Sequence, residues 1–174
     1  PDFLVQSVEF WTMAGQPTRV REAKAEFVGQ YLSEARYQAL TGDHQQHWQA
    51  YGRSLADFHY ASGSTYQAGA KPLEGRRSWV KAAEYYEMLA PRSAAEGELM
   101  HLAGDARLLA KHDTQALANF RRAAYGAGYS QAEQAGWAAI TLLRNALPPQ
   151  NQSPKSSDAQ EALTALSSEE QRYS

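Results

Sequence analysis

Cysteine is absent from this chain. Its absence excludes disulfides, zinc–thiolate sites, iron–sulfur clusters and cysteine nucleophiles as explanations of function. Long apolar runs are also missing, since the best one, residues 137–143, falls far short of the ~20 residues that a membrane-spanning helix needs. We therefore expect no membrane span. Glycine and proline, at 12 and 7 residues, are too scarce for a disordered or fibrous chain.

The chain has little excess charge of either sign. Its net charge is -2, and this excess lies in residues 151–174, so that basic and acidic groups balance in the rest. Sequence-independent nucleic-acid binding requires a basic face that neutralises phosphates. We therefore expect no nucleic-acid partner.

Recognisable catalytic motifs are missing as well. The sequence has no glycine-rich phosphate loop, no G-x-S-x-G and no H-E-x-x-H. Serine, histidine and aspartate are present, but no spacing singles out a triad, which is defined by geometry. We expect a protein that is not an enzyme and that needs no cofactor and no metal.

What is present predicts an all-α fold of about six or seven antiparallel helices. No segment alternates apolar and polar residues for long enough to predict a strand. Glycines, serines and Pro72 predict one long inserted loop over residues 61–76. We expect a helical domain over residues 1–147, followed over 148–174 by a Pro/Ser/Gln-rich linker with a weak C-terminal helix. The helices are predicted at about residues 3–14, 18–40, 44–60, 77–90, 94–111, 114–125, 130–147 and, weakly, 158–171.

One pattern occurs twice, 34 residues apart: Ala82, Tyr86 and Leu89 recur as Ala116, Phe120 and Ala123. A period of 34 residues is typical of tetratricopeptide (TPR) repeats. Within residues 97–130, Met100, Ala103 and Gly104 occupy further positions of that motif, whereas Arg107 and Gly128 depart from it. The chain thus resembles the TPR family and, over residues 116–132, the allied Sel1-like repeats. This resemblance implies a TPR-like α-solenoid with degenerate repeats, in which small residues allow close helix packing.

The resemblance also implies a binding surface. In TPR-like proteins the first helix of each unit lines a concave groove. Glu98, His101 and Asp105 would favour a basic or hydrogen-bonding ligand there. The implied function is noncatalytic binding of a protein or peptide, as a scaffold or adaptor within a larger protein or complex. The alternative is an accessory helical domain of a larger enzyme, for example one acting on the cell wall. The implied groove residues are Gln46, Gln49, Arg53, Glu98, His101, Asp105 and Leu108.

Histidine spacing leaves a metal site open as a rival interpretation. His44 and His47 are three residues apart, and Glu98 and His101 form a Glu-x-x-His. Di-iron bundles use Glu-x-x-His on two helices, and here it occurs once. A zinc site at His44 and His47 would need a third ligand that sequence does not locate. Such histidines are more often surface residues near a helix cap.

Two further expectations concern the aromatic residues at helix ends and the origin of the chain. Tyr129, like Tyr60, Tyr66 and Tyr125, falls at a predicted helix end or in a loop, where an aromatic residue can anchor a partner or cap the core. The start at Pro1 and the Ser/Pro/Gln-rich tail favour a processed or excised piece of a bacterial envelope protein. The oligomeric state does not follow from the sequence.

Overall fold

The computed structural model describes residues 1–126, 128–146, 164–165, 167–168 and 171. Within these residues the chain is helical and has no strand, which confirms the all-α prediction. A 3₁₀ turn, Ala90–Arg92, precedes the sixth helix. The α-helices of the described part, α1 to α8, are Asp2–Met13, Pro17–Gln30, Glu34–Gln38, Gly42–Ala68, Pro72–Leu89, Glu96–Leu109, Asp113–Ala124 and Ala132–Ala146.

The helices form two compact units, Pro1–Leu89 and Ala90–Ser174. In the first unit α1 packs on α2, α2 on α4, and α4 on α5. In the second unit α6 packs on α7, and α7 on α8. Most of the predicted linker and weak C-terminal helix lies outside the described residues. Within that stretch Ala165 packs against the buried Ile140 and Leu143 of α8.

The apolar positions of the 34-residue pattern form core in both units. All six of its residues are buried, those of α5 in the first unit and those of α7 in the second. Gly104 of α6 provides the close approach that its position predicts, since a Cβ there would lie 2.6 Å from Cε1 of Phe120. The sequence pattern therefore identifies where neighbouring helices meet.

The predicted long loop over residues 61–76 is wrong. Helix α4 continues to Ala68 and α5 begins at Pro72, so the connection is only a few residues long. Gly63 is a crossing point rather than a turn, because a Cβ on it would lie 2.7 Å from Cε2 of Trp79. Ser62, a residue that often favours loops, stays helical with its hydroxyl bonded to the carbonyl of Phe58 at 2.8 Å.

The predicted helix over residues 18–40 is also wrong in its length. Helix α2 ends at Gln30, and the short α3 begins only at Glu34, after Ser33 adopts an extended backbone. The guanidinium of Arg36 donates to the freed carbonyl of Gln30 at 3.1 Å, which satisfies one of the acceptors that the helix end exposes.

A threonine caps the start of α4. Thr41 is the N-cap, and its hydroxyl accepts a hydrogen bond from the backbone N–H of His44. Gly42 is the first helical residue. Asp43 lies in the first turn, where its charge interacts favourably with the helix dipole.

Candidate functional site

A cluster of polar side chains surrounds the hydroxyl of Tyr129 in the second unit, beside the N-terminal half of α6. Two glycines bring the tyrosine there. A Cβ on Gly97 would lie 2.6 Å from Cβ of Tyr129, so only glycine at 97 permits this approach. Gly128 has φ +74°, a conformation that favours glycine and turns the chain back toward α6.

The Tyr129 hydroxyl has two hydrogen-bond partners. It lies 2.8 Å from Nδ1 of His101 and 3.2 Å from Oε1 of Gln131. A phenol has one proton to donate, so when it donates to Gln131 the imidazole carries its proton on Nδ1 and donates to the phenol oxygen. The imidazole also packs against Phe120, with the two rings in a T-shaped contact and their centroids 5.5 Å apart. His101 is therefore held in one orientation.

Two carboxylates make this cluster acidic. Burial raises the pKa of Tyr129, and the negative charges of Glu98 and Asp105 raise it further. Burial also raises the pKa of Asp105, while His101 acts in the opposite direction. A half-buried carboxylate of this kind gains when a cation or a hydrogen-bond donor replaces the water that it has lost.

The groove residues predicted on α6 thus lie on one side of one helix. Glu98 and Leu108 are exposed, whereas His101 and Asp105 are half-buried. Glu98, His101 and Asp105 all act on Tyr129, either through a hydrogen bond or through their charge. We refer to these three residues with Tyr129 and Gln131 as the α6 cluster.

The groove residues predicted on α4 belong to the first unit. Gln46 is exposed, and Gln49 donates to the hydroxyl of Tyr37 at 3.1 Å. Arg53 forms an ion pair with Asp57 at 3.1 Å. Gln49 and Arg53 therefore already have partners within the fold, and a ligand would have to compete with them.

The ion pair of Arg53 is part of a larger contact with α5. The hydroxyl of Tyr86 donates to Oδ1 of Asp57 at 2.6 Å, and the guanidinium of Arg53 lies 5.6 Å from the centre of the Tyr86 ring. Burial and the hydrogen bond to Asp57 raise the pKa of Tyr86 well above its usual range. These contacts stabilise the α4–α5 pair.

The histidines that suggested a metal site have other partners. Nε2 of His44 lies 3.1 Å from a carboxylate oxygen of Asp2, and the ring of His47 packs on Tyr51 with centroids 5.5 Å apart. Over the residues that the structure describes, no group of three or more histidine, aspartate or glutamate side chains is arranged to hold a metal ion. Similarly, no helix among the described residues is both long enough and apolar enough to cross a membrane.

The sequence grouped Glu98, His101 and Asp105 on one helix but did not identify Tyr129 as the residue on which they act. Tyr129 was expected only as an aromatic residue at a helix end, and Gln131 was not singled out. Gly128, directly before Tyr129, is the one local signal, because a glycine there permits the turn that carries the tyrosine toward α6. Gly97 permits the close approach from the α6 side, but no sequence pattern links it to Tyr129.

Comparison with known proteins adds no family to this description. No family model, curated protein or solved structure matches the chain. The resemblance to TPR and Sel1-like repeats therefore stays a prediction, as do the function and the groove that it implies.

Proposed function

We propose that this chain is a noncatalytic helical scaffold that binds a protein or peptide within a larger polypeptide or complex. The observation that carries the proposal is the α6 cluster, in which His101 is hydrogen-bonded to the Tyr129 hydroxyl and the charges of Glu98 and Asp105 act on the same phenol. Side chains fixed on a rigid helix can bind without first paying for their own ordering. We further propose that the helix pairs are TPR-like repeats, a finer arrangement for which the 34-residue pattern is the support.

The chemistry of the α6 cluster favours a basic segment as the ligand. Glu98 and Asp105 supply negative charge, and Asp105 is half-buried, so an arginine or lysine side chain would find charge-assisted hydrogen bonds there. Tyr129 supplies an amphipathic ring of the type that is enriched at protein interfaces. Exposed Leu108, 36% accessible on the same helix, offers apolar area for an aliphatic neighbour.

Capture of partners from a lysate of the source cell, with matched variants as bait, tests this proposal. The test variant is Glu98→Gln/Asp105→Asn, which removes two negative charges from the cluster while keeping side-chain size. The control is Asp113→Asn/Glu133→Gln, which removes the same charge from exposed positions of α7 and α8. Circular dichroism verifies that both variants are folded. We expect a partner that is retained by the native chain and the control and lost by the test variant.

The captured partner then gives a quantitative test. Its shortest binding peptide, titrated into the native chain, should contain arginine or lysine and should bind about tenfold or more weakly to the test variant, as expected for the loss of a charge-assisted contact. Equal binding by the native chain and both variants would remove the α6 cluster from the proposal. Absence of any partner would overturn the scaffold function itself.

A further inference from the structure

A surface cavity of about 450 Å³ lies in the first unit, where the turn between α1 and α2 faces α4. This volume is within the range of small-molecule sites, about 300–1,000 Å³. Gly15, with φ +65°, and Pro17, the first residue of α2, form the turn that borders it. None of its lining residues belongs to the α6 cluster, and no sequence motif pointed to it.

Two cationic side chains, those of Arg21 and Lys24, line this cavity. Nζ of Lys24 donates to the hydroxyl of Ser54 at 2.9 Å, and Arg21 donates to the hydroxyl of Thr18 at 3.1 Å. In the part of the chain that the structure describes, neither cation forms an ion pair, whereas neighbouring Arg19 is paired with Glu22 at 3.0 Å. Burial lowers the pKa of Lys24, which reflects the cost of holding its charge partly away from water.

The electropositive character extends beyond those two side chains. His59 has its pKa lowered by burial first, and then by the positive charges of Lys81 and Arg21. The positive charges of Lys81 on α5 and Arg21 on α2 are therefore both near enough to His59 on α4 to disfavour its protonation. The same charges would attract an anion to this region.

Apolar surface completes the cavity. Trp11 and Phe58 line it together with Val20. Phe58 is 40% exposed, and the guanidinium of Arg21 stacks 4.2 Å from the centre of its ring. An aromatic or aliphatic group in the cavity would cover this ring, and the two cations at hand would bind an attached carboxylate.

From this geometry we infer that the cavity binds a small organic anion in which a carboxylate is attached to an aromatic or apolar group. Arg21 and Lys24 hold the carboxylate, Ser54 orients the ammonium of Lys24, and Trp11 and Phe58 enclose the apolar part. This site is independent of peptide binding at the α6 cluster, and either can exist without the other.

The first test uses the native chain alone. 3-Phenylpropionate and its uncharged counterpart 3-phenylpropan-1-ol are titrated separately, and ¹H–¹⁵N spectra are recorded, with the Trp11 indole N–H assigned through Trp11→Phe. The carboxylate should cause saturable shifts of the Trp11 indole and the Gly15 amide and bind about tenfold more tightly than the alcohol, a gain expected for a charge-assisted contact. The affinity should fall as salt is raised, because exposed charges are screened.

A pair of variants then assigns the charge. Arg21→Gln/Lys24→Gln should lose the preference for the carboxylate over the alcohol. The control Lys71→Gln/Arg76→Gln removes the same charge from exposed positions of the same unit and should keep it. Equal affinity for acid and alcohol, saturable shifts confined to residues away from the cavity, or no saturable shift would each overturn the inference. The comparison of acid with alcohol on the native chain decides the matter even if the double variant does not fold.

Discussion

Replacing Gly104 by alanine should destabilise the second unit, although alanine is the better helix former. Gly104 lies inside α6 and faces Phe120 of α7, which is 1% exposed. A Cβ added at 104 would lie 2.6 Å from Cε1 and 2.7 Å from Cδ1 of that ring. Real Cβ atoms do not approach so closely, so the ring would have to retreat by about 1 Å into a core packed at crystal-like density.

Two opposing effects set the magnitude. Alanine in place of glycine in a helix interior contributes about 1 kcal/mol of stability. Forcing extra volume into a packed core costs about 1–3 kcal/mol, and here the obstacle is a ring that is itself fully buried. The net expectation for Gly104→Ala is a loss of about 1 kcal/mol in the free energy of unfolding.

Gly29→Ala provides the matched control. Gly29 is also helical, in α2, but nothing lies within 4 Å of the position that its Cβ would take. Only the helix-propensity effect operates there, and its size near a helix end is about 0.5 kcal/mol, in the stabilising direction. The same substitution should therefore change stability with opposite signs at the two positions.

Urea unfolding followed by circular dichroism measures both changes, and hydrogen exchange of α6 and α7 assigns the loss to the second unit. Gly104→Ala combined with Phe120→Leu should recover part of the loss, giving a coupling energy of about 0.5–2 kcal/mol in a double-mutant cycle. If Gly104→Ala proves as stabilising as Gly29→Ala, the argued contact between α6 and α7 is refuted.

Three further predictions follow from pKa values. Burial raises the pKa of Asp105 above 3.8, so between 3.8 and that raised pKa the native state binds more protons than the unfolded state, and its stability falls as pH rises. Asp105→Asn should therefore be more stable than the native chain in urea at pH 7. This advantage should shrink toward pH 4. Tyr86→Phe removes the hydrogen bond to Asp57 and should lower the free energy of unfolding by about 1 kcal/mol in urea. In the native chain the Tyr86 phenol should ionise at higher pH than the exposed tyrosines, as followed by ultraviolet absorbance. Because its pKa is raised in the native state, stability should fall as pH rises above 10.0. Arg21→Gln should raise the pKa of His59 toward 6.5, as followed by the imidazole proton shifts in NMR. An unchanged value would mean that burial and Lys81 set the pKa without a contribution from Arg21.

The sequence predicted helices better than it predicted what lies between them. The spacing of apolar residues located α1 and α6 to α8 to within about two residues at each end, because amphipathic periodicity is a local signal. The end of α5 was located equally well, but the helix begins at Pro72, within the stretch predicted as a loop. The error over residues 61–76 arose because glycine has two uses. It permits turns, and it also permits helices to cross closely, and only the position of Trp79 in space reveals that Gly63 serves the second use.

The candidate sites were predictable in part. Glu98, His101 and Asp105 could be grouped because helical spacing is regular. Their convergence on Tyr129 could not, since it depends on how the turn after α7 returns to α6. The cavity between the α1–α2 turn and α4 was missed for the same reason, since Lys24 and Ser54 are 30 positions apart and no local pattern links them.

The contact of Gly63 with Trp79 has a consequence for how this chain can vary over evolutionary time. Any side chain at 63 would occupy the space of the indole, so neither position can change freely while the other is kept. In relatives of this chain, alanine or a larger residue at 63 should be accompanied by a smaller residue at 79. The two positions are energetically coupled and should co-vary, and a substitution at 63 becomes tolerable only after the indole at 79 has been lost.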